Sequence, residues 1–367
     1  MLPPWISVFL ISLLAVPLIY SVDKLSLAGD PLWILVVGVV NLLIIGLVCY
    51  FATARNQKQV DPVIYVFSFC TFSSCVDLFV GLEADGFVSG FMGFYFREGE
   101  PYLKTPYASL ISWLDGTLHY VLCIGVIYRY FQGKSYRELG LLWAGSVGHS
   151  MLVFMPGNLL GISMVKWSIF LNIPWMVLPF YTAVKLLADG KRNNSERQMV
   201  TRRTAWQLTL ESLFAVWFLG AILLAYFRGI AVLGSKLDVF REYTKHVEPY
   251  LMDTNQYGKM QAIVYMFHFL PVYVACLYAL YGPVQTWISD LSILHAGAAI
   301  NAQFSYIGSA IHPRTPLEFR IPMTSSCVWF WLINLSLLLV PQFFALYCNY
   351  GKNENLSVMQ KRGKKIS

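Results

Sequence analysis

Three side chains with acid–base chemistry stand inside strongly apolar sequence. Asp77 lies in Ser73-Ser74-Cys75-Val76-Asp77, and Asp115 and His119 are four residues apart in a second apolar stretch. On a helix, positions i and i+4 share a face, and Trp113 and Tyr120 fall at the edges of that face. A charged group at mid-membrane costs several kcal/mol, so its presence needs a reason. An acid, an imidazole and aromatic rings in low dielectric make a site in which a carboxyl group keeps its proton. The same pair would serve equally as a buried polar network holding helices together. Arg228 stands near the end of another apolar stretch, where snorkelling to the interface would satisfy it. His268, Asn301 and Gln303 are packing residues or weaker ligand contacts, while Asp290, His312, Arg314 and Arg320 fall near the ends of spans. No HExxH, P-loop, Rossmann glycine pattern or GxSxG is present. The seven cysteines include no CxxC and sit in apolar sequence, so neither a disulfide framework nor a metal site is expected. The expected cofactor is none.

The elements that must carry these groups are membrane spans. Apolar residues form 57% of the 367, charged residues 13%, and mean hydropathy is +0.55. A soluble domain carries about 25% charged residues, so the chain has too few charges to cover a water-facing surface. An apolar stretch of about 20 residues in lipid must satisfy its backbone internally, as a helix. Ten such stretches are expected, over 4–21, 32–53, 62–82, 107–131, 137–158, 163–188, 207–230, 259–282, 286–311 and 324–348. The fold class is therefore all-α, a polytopic helical bundle. Pro174, Pro179 and Pro341 should kink their helices rather than break them. The first stretch lacks a basic flank and a cleavage site, and reads as a retained span.

The net charge of +7 is scattered over short loops and is no nucleic-acid footprint. Its distribution sets topology instead. Arg55 and Lys58, then Arg129, Lys134 and Arg137, then Lys185 to Arg203, and finally the tail lysines all fall on one face if ten spans is right. Both termini are then expected in the cytosol, with the longer loops 83–106 and 231–258 in the lumen. The N-x-S sequons at Asn193, Asn334 and Asn355 would lie on the wrong side or within the membrane, and none should be glycosylated. Lys364 and Lys365, third and fourth from the end, fit the dilysine signal for retrieval to the endoplasmic reticulum. A tail that only enforces topology is the alternative.

Glu100-Pro101-Tyr102-Leu103 recurs 148 residues later as Glu248-Pro249-Tyr250-Leu251, and the same offset aligns Gly81 with Gly229. Each copy reads as a helix, a long loop ending in the motif, and three further helices. This is a parallel four-helix repeat of a kind also found in transporters.

Several strings look familiar together: Arg97-Glu98-Gly99-Glu100-Pro101-Tyr102-Leu103, Asp115-Gly116-Thr117-Leu118-His119-Tyr120, Pro156-Gly157-Asn158 and Ala302-Gln303-Phe304-Ser305. They resemble the transmembrane 6 superfamily, in order and over essentially the whole chain. That resemblance implies two EXPERA domains, the four-helix unit shared with emopamil-binding protein, a sterol Δ8–Δ7 isomerase. The expected domains are two N-terminal helices (1–60), a first EXPERA domain (61–190), a basic cytosolic linker (191–206), a second EXPERA domain (207–350) and a basic tail (351–367). The resemblance further implies an endoplasmic reticulum regulator of lipid metabolism that binds a sterol or other lipid. Such a protein would influence secretion of triglyceride-rich lipoprotein and lipid-droplet content. Partners would be membrane lipid and proteins of lipoprotein assembly. The ER–Golgi intermediate or the lysosomal membrane is the alternative location. The expected ligand-binding set is Asp77, Trp113, Asp115, His119, Tyr120 and Asn158, with Arg228, His268 and Gln303 as a weaker set in the second repeat. An isomerase-like enzyme, with Asp77, Asp115 and His119 catalytic, is the alternative function. The isomerase's His-Leu-x-x-Glu becomes Asp77-Leu78-Phe79-Val80-Gly81 here, so its His–Glu pair is not retained. The corresponding second-repeat positions, Ala225 and Ile263, are emptier still.

Overall fold

The computed structural model describes residues 2–25, 31–54, 59–162, 165–193, 204–282, 287–322 and 327–351. The dilysine pair Lys364 and Lys365, the sequon at Asn355 and most of the basic linker and tail lie outside the described residues, as do Arg55 and Lys58.

The N-terminal helices are α1 (Pro4–Leu13), α2 (Ala15–Leu25) and α3 (Pro31–Ala54). Helix α4 (Pro62–Ala84) starts where its sequence says it should. Pro62 stands at the first position, where no amide is needed, and the Asp61 side chain accepts from Val63 N at 3.0 Å. A loop then carries a π turn, Tyr95–Gly99, and a 3-10 turn, Pro101–Lys104. Helix α5 (Pro106–Leu114), capped by Thr105, runs through a second π turn at Asp115–His119 into α6 (Tyr120–Phe131). Helix α7 (Arg137–Leu160), a 3-10 turn at Trp167–Asn172 and α8 (Ile173–Asn193) follow.

The same succession then recurs. Helix α9 (Ala205–Val232) leads through α10 (Asp238–His246) to a 3-10 turn at Pro249–Met252. Helix α11 (Tyr257–Val264), a π turn at Tyr265–Phe269 and α12 (Leu270–Tyr281) come next. Helices α13 (Trp287–Ile311) and α14 (Val328–Leu346) close the bundle. The loop after the second Glu-Pro-Tyr-Leu is longer, so the offset of 148 at that motif becomes 150 at the π turns. Tyr265, rather than Ile263, therefore stands where Asp115 stands.

Among the described residues, nine helices are long and apolar enough to cross a membrane. Each agrees with an expected span. The tenth expected span is α13, a helix of 25 residues that is not among the nine. Its composition is that of an interior helix. Ala298, Ala299, Ala302, Ser305 and Ser309 are buried along it, and small residues let backbones approach closely. Pro179 and Pro341 lie within continuous helices, as does Pro156, whereas Pro174 is the second residue of α8 and stands at its start rather than mid-helix.

The tightest contacts at the described glycines join the two halves. A Cβ on Gly145 of α7 would overlap the Leu294 carbonyl oxygen of α13, and one on Gly297 would overlap the Leu142 carbonyl oxygen. At one end Arg137 grips Asp290 with two hydrogen bonds, at 3.0 and 2.7 Å. Backbone cannot move aside as a flexible side chain can, and packed interiors accept little added volume. Gly145→Val and Gly297→Val should each abolish monodisperse protein in detergent size-exclusion chromatography. Gly220→Val, whose Cβ would meet nothing within 4 Å, should elute as wild type.

Candidate functional site: an acid-lined cavity

A cavity of about 260 Å³ lies among α4, α5, α7 and the start of α8, and is walled on one side by α2 and α3. Phe69, Phe72, Ile45, Val147 and the loop residues Phe91, Met92 and Phe94 give it a largely apolar lining, into which Asp77, Glu100, Ser112, Asp115 and Asn172 are set. No lysine, arginine or histidine is among its lining residues. Among the described residues, no three His, Cys, Asp or Glu side chains converge closely enough to hold a metal ion.

The geometry begins with Gly116. A Cβ there would stand 2.5 Å from Leu78 Cα and 2.6 Å from Leu78 Cβ, so the π turn lies almost backbone-to-backbone on α4. That contact brings Asp77 and Asp115 to the same cavity. A π turn is wider than an α turn and is frequent at functional sites. Here it stacks His119 on Asp115, whose Oδ1 is hydrogen-bonded to Nδ1 of the imidazole. The other ring nitrogen, Nε2, is 2.7 Å from Ser146 Oγ on α7. His119 and Ser146 are both buried behind Asp115. The chain Asp115–His119–Ser146 thus presents its carboxyl to the cavity and its hydroxyl to the protein interior. Asp77 is half-buried, faces the cavity, and makes no hydrogen bond or ion pair to any described residue.

Glu100 is the acid that sequence reasoning missed as a site residue. It was legible only as part of a repeat, because a loop position between spans gives no hydropathy signal. It is 3% exposed and lines the cavity, with Asn172 Nδ2 donating to Oε1 at 2.7 Å. Burial pushes its carboxyl up to about 7, against hydrogen bonding that favours the ionised form. Asp23 and Asn41, from helices expected to form a separate N-terminal unit, also line the cavity.

Other expected ligand residues lie elsewhere. Trp113 follows Ser112 by about 100° around the helix, and so faces away. Its indole Nε1 donates to Asp85 Oδ2 at 2.7 Å. The Tyr120 hydroxyl is 2.9 Å from Ser12 Oγ, tying α6 to α1. Asn158 is fully buried and accepts from the Tyr257 hydroxyl, bridging the two halves. Gln303 donates to the Tyr265 hydroxyl at 2.5 Å, and His268 is exposed on the outer flank.

Arg228 does not snorkel. It is 3% exposed and ion-paired with Glu248, the second copy of Glu100. Asn334 Nδ2 donates to Glu248 Oε1 at 2.9 Å and the Tyr306 hydroxyl to Oε2 at 3.3 Å, while Arg228 Nε donates to the Tyr243 hydroxyl at 3.2 Å. A cation inside the bundle with a partner within reach gains more from that partner than from distant water. The sequon at Asn334 is consumed in this network, deep in α14.

Fold and cavity together define a polytopic α-helical membrane protein enclosing an amphipathic pocket. Comparison with known proteins is more specific. A family model described as "Transmembrane 6 superfamily member 2-like, transmembrane domain" matches residues 14–197. "Transmembrane 6 superfamily member 2" of Mus musculus is 35% identical over 343 residues, covering 92% of this chain and 90% of that protein. The Homo sapiens protein of that name is 35% identical over 347 residues, covering 92% and 91%. No solved structure matches. The chain belongs to the transmembrane 6 superfamily.

The Glu100 carboxyl gives a pH dependence of defined sign. A carboxyl whose pKa is higher in the fold than in the unfolded chain contributes fully below the unfolded value, 4.5, and loses that contribution as pH rises through about 7. The loss is on the order of 3 kcal/mol. The thermal midpoint of the purified protein should therefore fall between pH 5 and pH 8. Glu100→Gln should flatten that decline.

Proposed function

We propose that this chain is an endoplasmic reticulum membrane regulator of lipid metabolism that binds a sterol or other lipid in the acid-lined cavity. The observation that carries the reading is the shape of that cavity's chemistry. Its lining is mostly aromatic and aliphatic, with the carboxyl, hydroxyl and amide groups of Asp77, Glu100, Asp115, Ser112 and Asn172 set into it. A pocket mostly apolar with a few convergent polar groups is what an amphiphilic ligand requires. The recurring order of helices, 3-10 turn and π turn supports a duplicated EXPERA unit, with the ligand in the first copy. In the second copy, aromatic side chains Tyr265, Phe269 and Tyr273 fill the core. Both termini would be cytosolic, given the distribution of basic residues, and Lys364 and Lys365 would return the protein to the endoplasmic reticulum. Occupancy of the cavity would influence lipoprotein-assembly partners, secretion of triglyceride-rich lipoprotein and lipid-droplet content.

One arrangement favours a second reading, a sterol Δ8–Δ7 isomerase-like enzyme. Asp77 and Asp115 face one cavity, and Asp115 is backed by an imidazole and a hydroxyl. A protonated carboxyl could deliver a proton to a double bond while Asp115 or His119 accepts one elsewhere. Mass spectrometry separates the two. Wild-type protein should carry a lipid through purification that Ser112→Phe, which fills the cavity, has lost. In cells lacking their own isomerase, well-expressed wild type should leave Δ8-sterol unconverted. Conversion that Asp77→Asn and Asp115→Asn both destroy would make the protein an enzyme, and absence of any bound lipid from wild type would sink the binding reading.

A further inference from the structure

The second half carries an apolar groove of about 210 Å³ between α9 and α14, at positions of the repeat that can be matched to the first half. Its floor on α9 is Trp217, Gly220, Ala221 and Leu224. At the offset of 148 these correspond to Phe69, Phe72, Ser73 and Val76 of α4, which in the first half lie beneath α3 or line the space that α3 walls. On the other side, Ile333 and Leu337 flank Asn334 as Leu171 and Trp175 flank Asn172. The difference is the cover. Helix α3 lies antiparallel along α4, with the Tyr50 and Tyr65 rings 5.0 Å apart and Cys49 Sγ donating to the Ser68 carbonyl oxygen at 3.5 Å. Farther along, Ile45 packs on the cluster of Phe72 and Cys75, and a Cβ on Gly38 would stand 2.6 Å from Leu171. Ser68, Phe72 and Cys75 are buried as a result. The second half has no equivalent of α3 before α9, because residues 194–204, which separate α8 from α9, are too few to span a membrane. The counterparts of the covered face are exposed, Val216 and Leu223 at 70% each and Gly220 between them.

From this mismatch we propose that the groove between α9 and α14 seats one membrane-spanning helix of a partner protein, running opposite to α9 as α3 runs opposite to α4. The surface is separate from the acid-lined cavity, and the proposal stands whatever that cavity holds. Glycine inside a helix costs stability, and in a bilayer small residues mark the places where another backbone comes close. Gly220 stands where the first half has Phe72, and a Cβ on it would meet nothing within 4 Å, so the seat is open at its centre. The incoming helix must supply the bulk that Phe72 supplies in the first half. The exposed positions of α9 from Leu208 to Tyr226 carry no charge, so packing rather than ion pairing holds the partner. The fitting chemistry is therefore an uncharged apolar helix with an aromatic side chain level with Gly220. A second copy of this chain suits the seat less well. Its α3 is already engaged on its own α4, and its α9 would run parallel to this one in a shared membrane.

The test uses full-length protein in phosphatidylcholine vesicles, with a donor dye on its C-terminus and an acceptor dye on a synthetic helix. The helix is this chain's own residues 31–54, the occupant of the matched seat, in two forms, Ile45→Phe and Ile45→Ala. The Phe form should give saturable energy transfer at a peptide-to-lipid ratio roughly tenfold lower than the Ala form requires. Gly220→Phe, which restores the ring of the first half, should abolish the saturable signal of the Phe form. Ser336→Phe, which narrows the groove from α14, should do the same and carries the test if Gly220→Phe fails to fold. Transfer that is equal and unsaturable for both peptides would overturn the proposal and make the groove a seat for lipid chains. Saturable transfer that survives both substitutions would overturn it too, because the peptide would then bind elsewhere. Single-molecule photobleaching of the protein alone, at high dilution in the same vesicles, should show one step. Two steps that Gly220→Phe reduces to one would assign the groove to a second copy of this chain and overturn the partner reading.

Discussion

The bundle depends on how closely α7 and α13 can approach. Each presents a glycine to a carbonyl oxygen of the other, so there is room for no side chain at either position. In lipid there is no hydrophobic drive between helices, and close van der Waals packing must supply the attraction. Two polar pairs reinforce the junction of the halves. Arg137 with Asp290 lies at one end, while Asn158 with Tyr257 joins α7 to the second half. Once this seam is set, the remaining helices of each half pack outward from it. Asp77, Glu100 and Asp115 of the first half are then turned toward one interior space.

Within that frame, the two halves use the same succession of elements for different ends. The second half closes on itself. Its glutamate is paired by Arg228, Asn334 and Tyr306, and Tyr265, Phe269 and Tyr273 pack in its core. The first half keeps the glutamate and its asparagine but has valine in place of arginine and aspartate in place of tyrosine. Volume and charge are therefore both missing from the first half, and a cavity with acid walls is the result. A fully paired buried charge network contributes rigidity, whereas unpaired acids are retained at functional sites.

The π turn at Asp115–His119 couples local backbone to chemistry. Gly116 permits contact with Leu78, and that contact sets Asp77 beside Asp115. The wide turn also stacks His119 behind Asp115, where Ser146 holds the imidazole. The equivalent π turn in the second half has Tyr265 and Phe269 at these positions, so the turn is kept while the acid–imidazole pair is gone.

Hydropathy by itself determined the all-α membrane architecture and the position of nearly every span, because lipid leaves the backbone no alternative to the helix. The repeat was legible from four identical residues, and the Asp115–His119 pair from helical spacing alone. Three things needed the tertiary structure. Whether Arg228 reaches water or a partner depends on a glutamate twenty residues away in a loop. Which face of α5 meets the cavity depends on packing, and it places Ser112 inside and Trp113 against Asp85. Glu100 and the N-terminal helices join the site only through long-range contacts. A linear sequence records which residues are apolar, but not which apolar surfaces meet, and in this protein those meetings decide where the carboxyl groups converge.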